Sequence, residues 1–289
     1  MKFGTLYSYW GTEWKCNYEE TMKKVADIGF DILEVGADHI YHMSRQELEK
    51  MDADARNYGL TLTVNSGPAK EYDLASKDPA VRANGIHYLN TILQHMKTIH
   101  SATLAGAVYS FWPTDFADTD KEALWERSIE SLKEVSKTAE ELDIEIALEV
   151  LNRNETCILC DCKEAIEYCG LVGSGKVKLL LDTYHMNIEE DSMTEAIRLA
   201  GGLLGHFHVG ECNRKLPGMN NSLPWALIGQ ALRDINYQKG VVIEPFLLKG
   251  GAVGHDLRVW RDLSGQADQE MMDQYIRDSL KFLRKNFLV

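Results

Sequence analysis

The stretch Ile144-Glu145-Ile146-Ala147-Leu148-Glu149-Val150 has a two-residue period, with Ile144, Ile146 and Leu148 on one face and Ala147 and Glu149 on the other. Successive strand side chains point to opposite faces, so a strand that is apolar on one side and small or acidic on the other sits between two different environments. Upstream, Leu124, Ile129, Leu132, Val135 and Leu142 recur at helical spacing. Downstream, Asp161 to Cys169 reads as a short helix, and Val177 to Leu181 as the next strand. The run is therefore the strand of one βα unit followed directly by another.

The same unit recurs in both directions. Toward the N-terminus the strands are Phe3 to Tyr9, Ile32 to Gly36, Leu60 to Val64 and Thr103 to Val108. Asn17 with Glu20, and Ser44 with Glu47, have the spacing of capping boxes that open the first two helices, which Gly29 and Gly59 close. Asp78-Pro79 is a cap and first-turn pair for a long helix reaching about Ile99. Toward the C-terminus, Ser192 with Glu195 caps a helix ending near Gly201, Leu204 to Val209 is strand seven, Trp225 to Ile235 is its helix and Val241 to Pro245 is strand eight. A last amphipathic helix surrounds Tyr275, Ile276, Leu280 and Leu283. Eight βα units with no linker predict one (β/α)8 TIM barrel over residues 1–289, a size at which such barrels form single domains. A doubly wound sheet would carry fewer strands and an early glycine-rich phosphate turn.

Composition narrows the function. The 289 residues carry a net charge of −13, which repels phosphate backbones and anionic lipid, so neither nucleic acid nor membrane is an expected partner. No apolar run approaches the ~20 residues of a membrane helix, and Met1-Lys2-Phe3-Gly4 opens no signal peptide, so a cytoplasmic protein is expected. Six cysteines, four of them between Cys157 and Cys169, do not form a disulfide framework, and reduced thiols follow.

In a barrel the working residues sit at the C-terminal strand ends. Glu149, Asp182, His208 and Glu244 all lie there, at spacings of 33, 26 and 36 residues. Each shares the inward phase, against Leu148, Leu181, Phe207 and Ile243. Three carboxylates and an imidazole converging at one mouth are costly unless a cation neutralises them. Oxygen-rich ligands with one histidine favour Mn²⁺, with Co²⁺ or Mg²⁺ as alternatives, over a thiolate zinc site. Such an ion suits proton abstraction beside a carbonyl, and Glu149 and Glu244 could approach opposite faces of one carbon.

The residues also carry a resemblance. Tyr7-Ser8-Tyr9-Trp10, Glu149-Val150-Leu151-Asn152-Arg153, the eleven residues Leu181 to Asp191, Gly205 to Glu211 and Val259-Trp260-Arg261-Asp262-Leu263 are similar to the ketose 3-epimerases, the D-psicose (D-allulose) and D-tagatose 3-epimerase group of xylose-isomerase-like barrels. The similarity spans essentially the whole chain. It implies that Glu149, Asp182, His208 and Glu244 bind Mn²⁺ or Co²⁺, and that the two glutamates are the acid and base at C3 of a free ketohexose, acting through a cis-enediolate. It also implies that Glu155, His185 and Arg214 hold the hydroxyls near C1 to C3, while Trp112, Phe246, Leu6 and Ala107 line the site. The family is usually aromatic where this chain has Leu6, and Asn65-Ser66 before Gly67-Pro68 differs from the nearest forms, which bears on the distal end of the sugar. A dimer or tetramer is implied as well.

Other readings are weaker. Gly170 to Lys176 matches the P-loop spacing, but Val177 stands in place of Ser or Thr and the run precedes a strand. Cys157, Cys160, Cys162 and Cys169 lack paired zinc knuckles and read as packing thiols. His39, His42, His87, His95, His100 and His255 are off the strand-end phase and read as surface or core residues, whereas His185 lies beside Asp182. Glu34, inside strand two, reads equally as a site residue or as a paired buried acid. Arg214-Lys215 could bind phosphate, although the resemblance points to unphosphorylated sugars. An aldose–ketose isomerase of the same barrel type is the runner-up. An endonuclease IV-like hydrolase would need a His-rich multi-metal site and a basic face, and a binding-only barrel would have no use for paired acids.

Overall fold

The computed structural model describes residues 1–288. Eight parallel strands close in sequence order into a barrel, β1 (Lys2–Leu6), β2 (Ile32–Gly36), β3 (Thr61–Ser66), β4 (Thr103–Gly106), β5 (Glu145–Val150), β6 (Val177–Asp182), β7 (Leu204–Val209) and β8 (Gly240–Ile243), with β8 pairing back onto β1. Around it run α1 (Tyr18–Ile28), α2 (Ala37–His42), α3 (Arg45–Asn57), α4 (Pro79–Thr98), α5 (Lys121–Leu142), α6 (Cys162–Val172), α7 (Thr183–Glu189), α8 (Met193–Ala200), α9 (Trp225–Asp234), α10 (Gly251–Asp256) and α11 (Gln269–Phe287). No helix among the described residues is long and apolar enough to cross a membrane.

The two-residue period sorts the layers as the sequence indicates. Ile146, Leu148, Leu179, Leu181, Phe207 and Ile243 join the continuous core between sheet and helices, while Ala105, Ala147 and Leu180 form a small separate cluster. The full reciprocal capping box forms at Ser44 and Glu47, whereas Asn17 only accepts from the Glu20 backbone N–H. Gly85, in the middle of α4, lies where a Cβ would come within 2.3 Å of the Tyr72 carbonyl, so the loop after β3 seats directly on the helix backbone.

The third strand runs two residues past its expected end, to Ser66, and the sixth one residue past, to Asp182, while three strands stop short. The first strand stops at Leu6, and Tyr7–Trp10 coils into a 3-10 helix, with the Tyr9 hydroxyl donating to the Met272 carbonyl and the Trp10 indole to Asp273. The fourth stops at Gly106, whose φ of 111° turns the chain toward the mouth. The eighth ends at Ile243, one residue before Glu244, although the Glu244 N–H still donates to Val209. All three shorten the ladder at the mouth, where the backbone must turn to present side chains.

Candidate active site

The strand ends deliver Glu149, Asp182, His208 and Glu244 to one point, with one ligand atom of each lying within 4.8 Å of the others. All four are buried, Asp182 and His208 almost completely. His208 Nδ1 lies 3.7 Å from a Glu149 oxygen and 3.5 Å from a Glu244 oxygen. Both His208 Nδ1 and Asp182 Oδ2 are buried without a hydrogen-bond partner, and buried polar atoms in that state need an explanation. Burial and the neighbouring Glu244 push Asp182 up to about 8 and Glu149 up to about 7. Burial would also raise Glu244, but His208 and Arg214 hold it below the usual carboxylate range. His208 is held well above the ordinary imidazole value by Glu244, Glu34 and Glu149, although its burial works the other way. A divalent cation resolves all of this at once, since it supplies the missing charge and the missing partner. The donor set of three carboxylates and one imidazole fits such an ion.

Beside this cluster is a cavity of about 270 Å³. Glu149, Glu155, His185, Arg214, Glu244, Trp112, Phe246, Leu6 and Ala107 all line it, so the structure brings the sequence-derived set together around one space. Glu155 anchors the set, accepting from Arg214 Nη2 at 3.0 Å, Asn152 Nδ2 at 3.3 Å and the Trp112 indole at 3.2 Å. Arg214 sits 3.7 Å over the Tyr184 ring, and its Nε and Nη1 are buried without partners. His185 Nδ1 accepts the Asn152 N–H at 3.1 Å, which leaves the proton on Nε2, an atom with no partner in the chain. Burial and Arg214 lower His185 to about 3, so it is a neutral donor.

The loop that carries Arg214 is organised by Glu211. That fully buried carboxylate accepts the backbone N–H groups of Gly218, Asn221 and Ser222, the Ser222 hydroxyl and the Trp225 indole. Aromatic rings form the outer wall. Trp14 meets Trp112 and Phe246 edge-on, each at 6.1 Å, and its indole donates to Asp256 at 2.8 Å.

Sequence reasoning missed part of the cavity. His39, assigned to the surface or core, lines its far end together with Asp38, Asn65, Ser66 and Tyr88. These residues follow β2, end β3 or lie on α4; Asn65 and Ser66 stood out only as a departure from the family, and no carboxylate pattern pointed to Asp38, His39 or Tyr88. Glu34 proves to be a paired buried acid, bonded to both His206 and His208. The cysteines are packing thiols. Burial raises Cys162 and Cys169 to about 12, and the Cys162 thiol donates to the Ala196 carbonyl. The P-loop-like run is the end of α6 turning into β6, with Gly173 in the left-handed conformation and Lys176 paired to Asp143. Arg214 is buried inside the cavity, with Nη2 paired to Glu155.

A family model described as a xylose isomerase-like TIM barrel matches residues 22–285. The D-psicose 3-epimerase of Ruminiclostridium cellulolyticum is 45% identical over 98% of this chain and 97% of its own. That of Agrobacterium fabrum is 45% identical over 98% of both.

The chain belongs to the D-psicose 3-epimerase family.

A crystal structure of the D-psicose 3-epimerase from Clostridium cellulolyticum H10 with D-tagatose is 44% identical, and its backbone superposes with a TM-score of 0.97 over 99% of each chain. The chain is thus an isomerase-class epimerase acting on carbohydrates. The family membership covers the strand ends, the loops after them and the helices alike.

Proposed function

We propose that this enzyme inverts C3 of free ketohexoses, converting D-psicose to D-fructose and, as a second pair, D-tagatose to D-sorbose. The observation that carries this reading is the placement of Glu149 on β5 and Glu244 after β8, both within 3.7 Å of one imidazole nitrogen and both facing one cavity. Glu149, Asp182, His208 and Glu244 would hold Mn²⁺, or Co²⁺ or Mg²⁺ in its place. When bound, the ion supplies positive charge that acidifies the hydrogen next to the ketose carbonyl.

The chain does the rest. One glutamate removes the C3 proton from one face, the sugar becomes a planar cis-enediolate, and the other glutamate returns a proton to the opposite face. Arg214 Nε and Nη1 and His185 Nε2, which make no hydrogen bond within the chain, would fix the hydroxyls near C1 to C3, with Glu155 holding Arg214 in place. Fixing those hydroxyls keeps C3 between the carboxylates, which converts a loose encounter into an oriented one. Trp112, Phe246, Leu6 and Ala107 give the space an apolar wall. The reading extends to a cytoplasmic homo-oligomer, dimer or tetramer, acting on unphosphorylated sugar.

The test is incubation of chelator-stripped protein, with and without Mn²⁺, with D-psicose, D-fructose and D-tagatose in D₂O, locating deuterium by NMR. Deuterium at C3 of the inverted ketose, only with Mn²⁺, is the expected result. Label at C1 or C2 with an aldose product would make the enzyme an aldose–ketose isomerase instead.

A further inference from the structure

We propose that Glu34, with His206 beside it, is the positioning residue that aims His208 at the cation and thereby sets how tightly the ion is held. The inference rests on Glu149, Asp182, His208 and Glu244 being the ligands. Glu34 belongs to β2 and His208 to β7, with β8 and β1 between them in the closed order, so the contact crosses the barrel interior. Barrels ordinarily fill this interior with branched aliphatic side chains. A fully buried carboxylate there costs desolvation energy that a Leu or Val would not.

The geometry shows how that carboxylate is used. One oxygen accepts from His206 Nε2 and the Thr63 hydroxyl, both at 2.7 Å, and the other accepts from His208 Nε2 at 2.8 Å and Asn65 Nδ2 at 3.2 Å. A carboxylate has about four lone-pair sites, and all are taken. A His that ligates a cation is neutral and so has one N–H. Once His208 gives it to Glu34, Nδ1 is left with a bare lone pair, and Nδ1 is the unpartnered atom facing Glu149 and Glu244. The other tautomer would set a lone pair against the Glu34 anion and remove the ligand atom. His206, two residues earlier on the same strand, meets His208 edge-on at 5.2 Å and holds the second oxygen, so the carboxylate cannot rotate away.

Glu34→Gln keeps the shape but replaces one acceptor oxygen with an NH₂ donor, so it cannot accept both imidazole protons. Thr63→Val is the control, because it removes a bond to the same carboxylate without touching either ring. The measurement is Mn²⁺ titration of the apoprotein, following free Mn²⁺ by EPR, with folding checked by circular dichroism. Glu34→Gln is expected to raise the Mn²⁺ Kd about 10- to 100-fold, and Thr63→Val to leave it within about two-fold. At saturating Mn²⁺ the Glu34→Gln enzyme should recover most of its kcat with KM for the sugar unchanged. An unchanged Kd in Glu34→Gln, or equal weakening in Thr63→Val, overturns the proposal in favour of plain structural support. If Glu34→Gln does not fold, wild-type protein labelled with ¹⁵N-histidine and loaded with diamagnetic Mg²⁺ decides. A proton on His208 Nε2 supports the proposal, and a proton on Nδ1 overturns it. Wild-type protein that binds no Mn²⁺ or Mg²⁺ overturns the ligand set itself.

Discussion

Arg214 and Glu155 meet as a buried ion pair, Nη2 to Oε1 at 3.0 Å, that leaves Nε and Nη1 without a hydrogen bond, Nη1 facing a Glu244 oxygen at 3.6 Å. Hydrogen bonds to a charged group contribute about 1.5–3 kcal/mol each. Arg214→Lys keeps the charge but loses the planar fork that bonds Glu155 and, in the proposed function, the sugar. We expect kcat/KM for D-psicose to fall about 10- to 100-fold, mostly through KM. A steady-state series with folding checked by circular dichroism measures this, and a change below three-fold would remove Arg214 from the substrate site.

Exchange of either glutamate for glutamine should stop inversion. General acid–base groups contribute about 10²- to 10⁴-fold, and Glu149→Gln and Glu244→Gln should each lose kcat in that range at saturating Mn²⁺. Metal content has to be measured in parallel, since both residues sit in the ligand cluster. Retained C3 proton exchange in D₂O without inversion would show that one face still works. A near-normal epimerisation rate in either variant would end the two-carboxylate mechanism.

Removing the divalent ion should destabilise the barrel as well as silence it. A ligand present at 100 times its Kd stabilises by about 2.7 kcal/mol, which for a chain of this size corresponds to a Tm about 4–8 °C lower after chelation. Differential scanning fluorimetry with a chelator, then with Mn²⁺ restored, reads this directly. An identical Tm in both states would mean that the cluster holds no ion tightly.

Much of this was written in the strand-end phase. The acids at Glu149, Asp182 and Glu244 and the imidazole at His208 are recoverable from the two-residue period because each is the inward residue at the C-terminal end of its β-run. Glu34 was not assigned in the same way. It lies in mid-strand among Ile32, Leu33 and Val35, and its partners His206 and His208 are more than 170 residues away, a pairing that only barrel closure brings about. The far end of the cavity was hidden for a different reason. Asp38 and His39 follow a strand whose end carries no charge pattern, so nothing local marks them. The strand limits at Leu6, Gly106 and Ile243 depend on where the mouth loops turn, and hydrophobic period alone does not fix that.

Gly85→Ala tests the seat of α4. An alanine normally improves a helix interior by about 1 kcal/mol over glycine. Here its Cβ would lie 2.3 Å from the Tyr72 carbonyl, and overpacking of this kind costs about 1–3 kcal/mol. The clash should win, with Gly85→Ala losing up to about 2 kcal/mol in urea unfolding. A stabilised variant would show that the loop after β3 gives way freely.

Glu211→Ala should act at a distance. It removes the acceptor for the N–H groups of Gly218, Asn221 and Ser222 and for the Trp225 indole, and orphaned buried donors cost about 1–3 kcal/mol each. The loop that carries Arg214 should loosen, so KM should rise together with a loss of about 4 kcal/mol or more in stability. Rates and urea curves measured on the same preparation check the pair, and lost stability with an unchanged KM would uncouple the loop from the sugar.

The edge-on stack of Trp14 against Trp112 and Phe246 makes the pocket its own optical reporter. Both indoles border the cavity proposed to take the sugar and both are tethered, to Asp256 and Glu155, so a ketose arriving there should change their polarity and quenching rather than their position. The exposed Trp260 contributes a constant background. Intrinsic fluorescence can therefore follow occupancy in a variant whose chemistry has been switched off, separating how the barrel holds a sugar from how it inverts one.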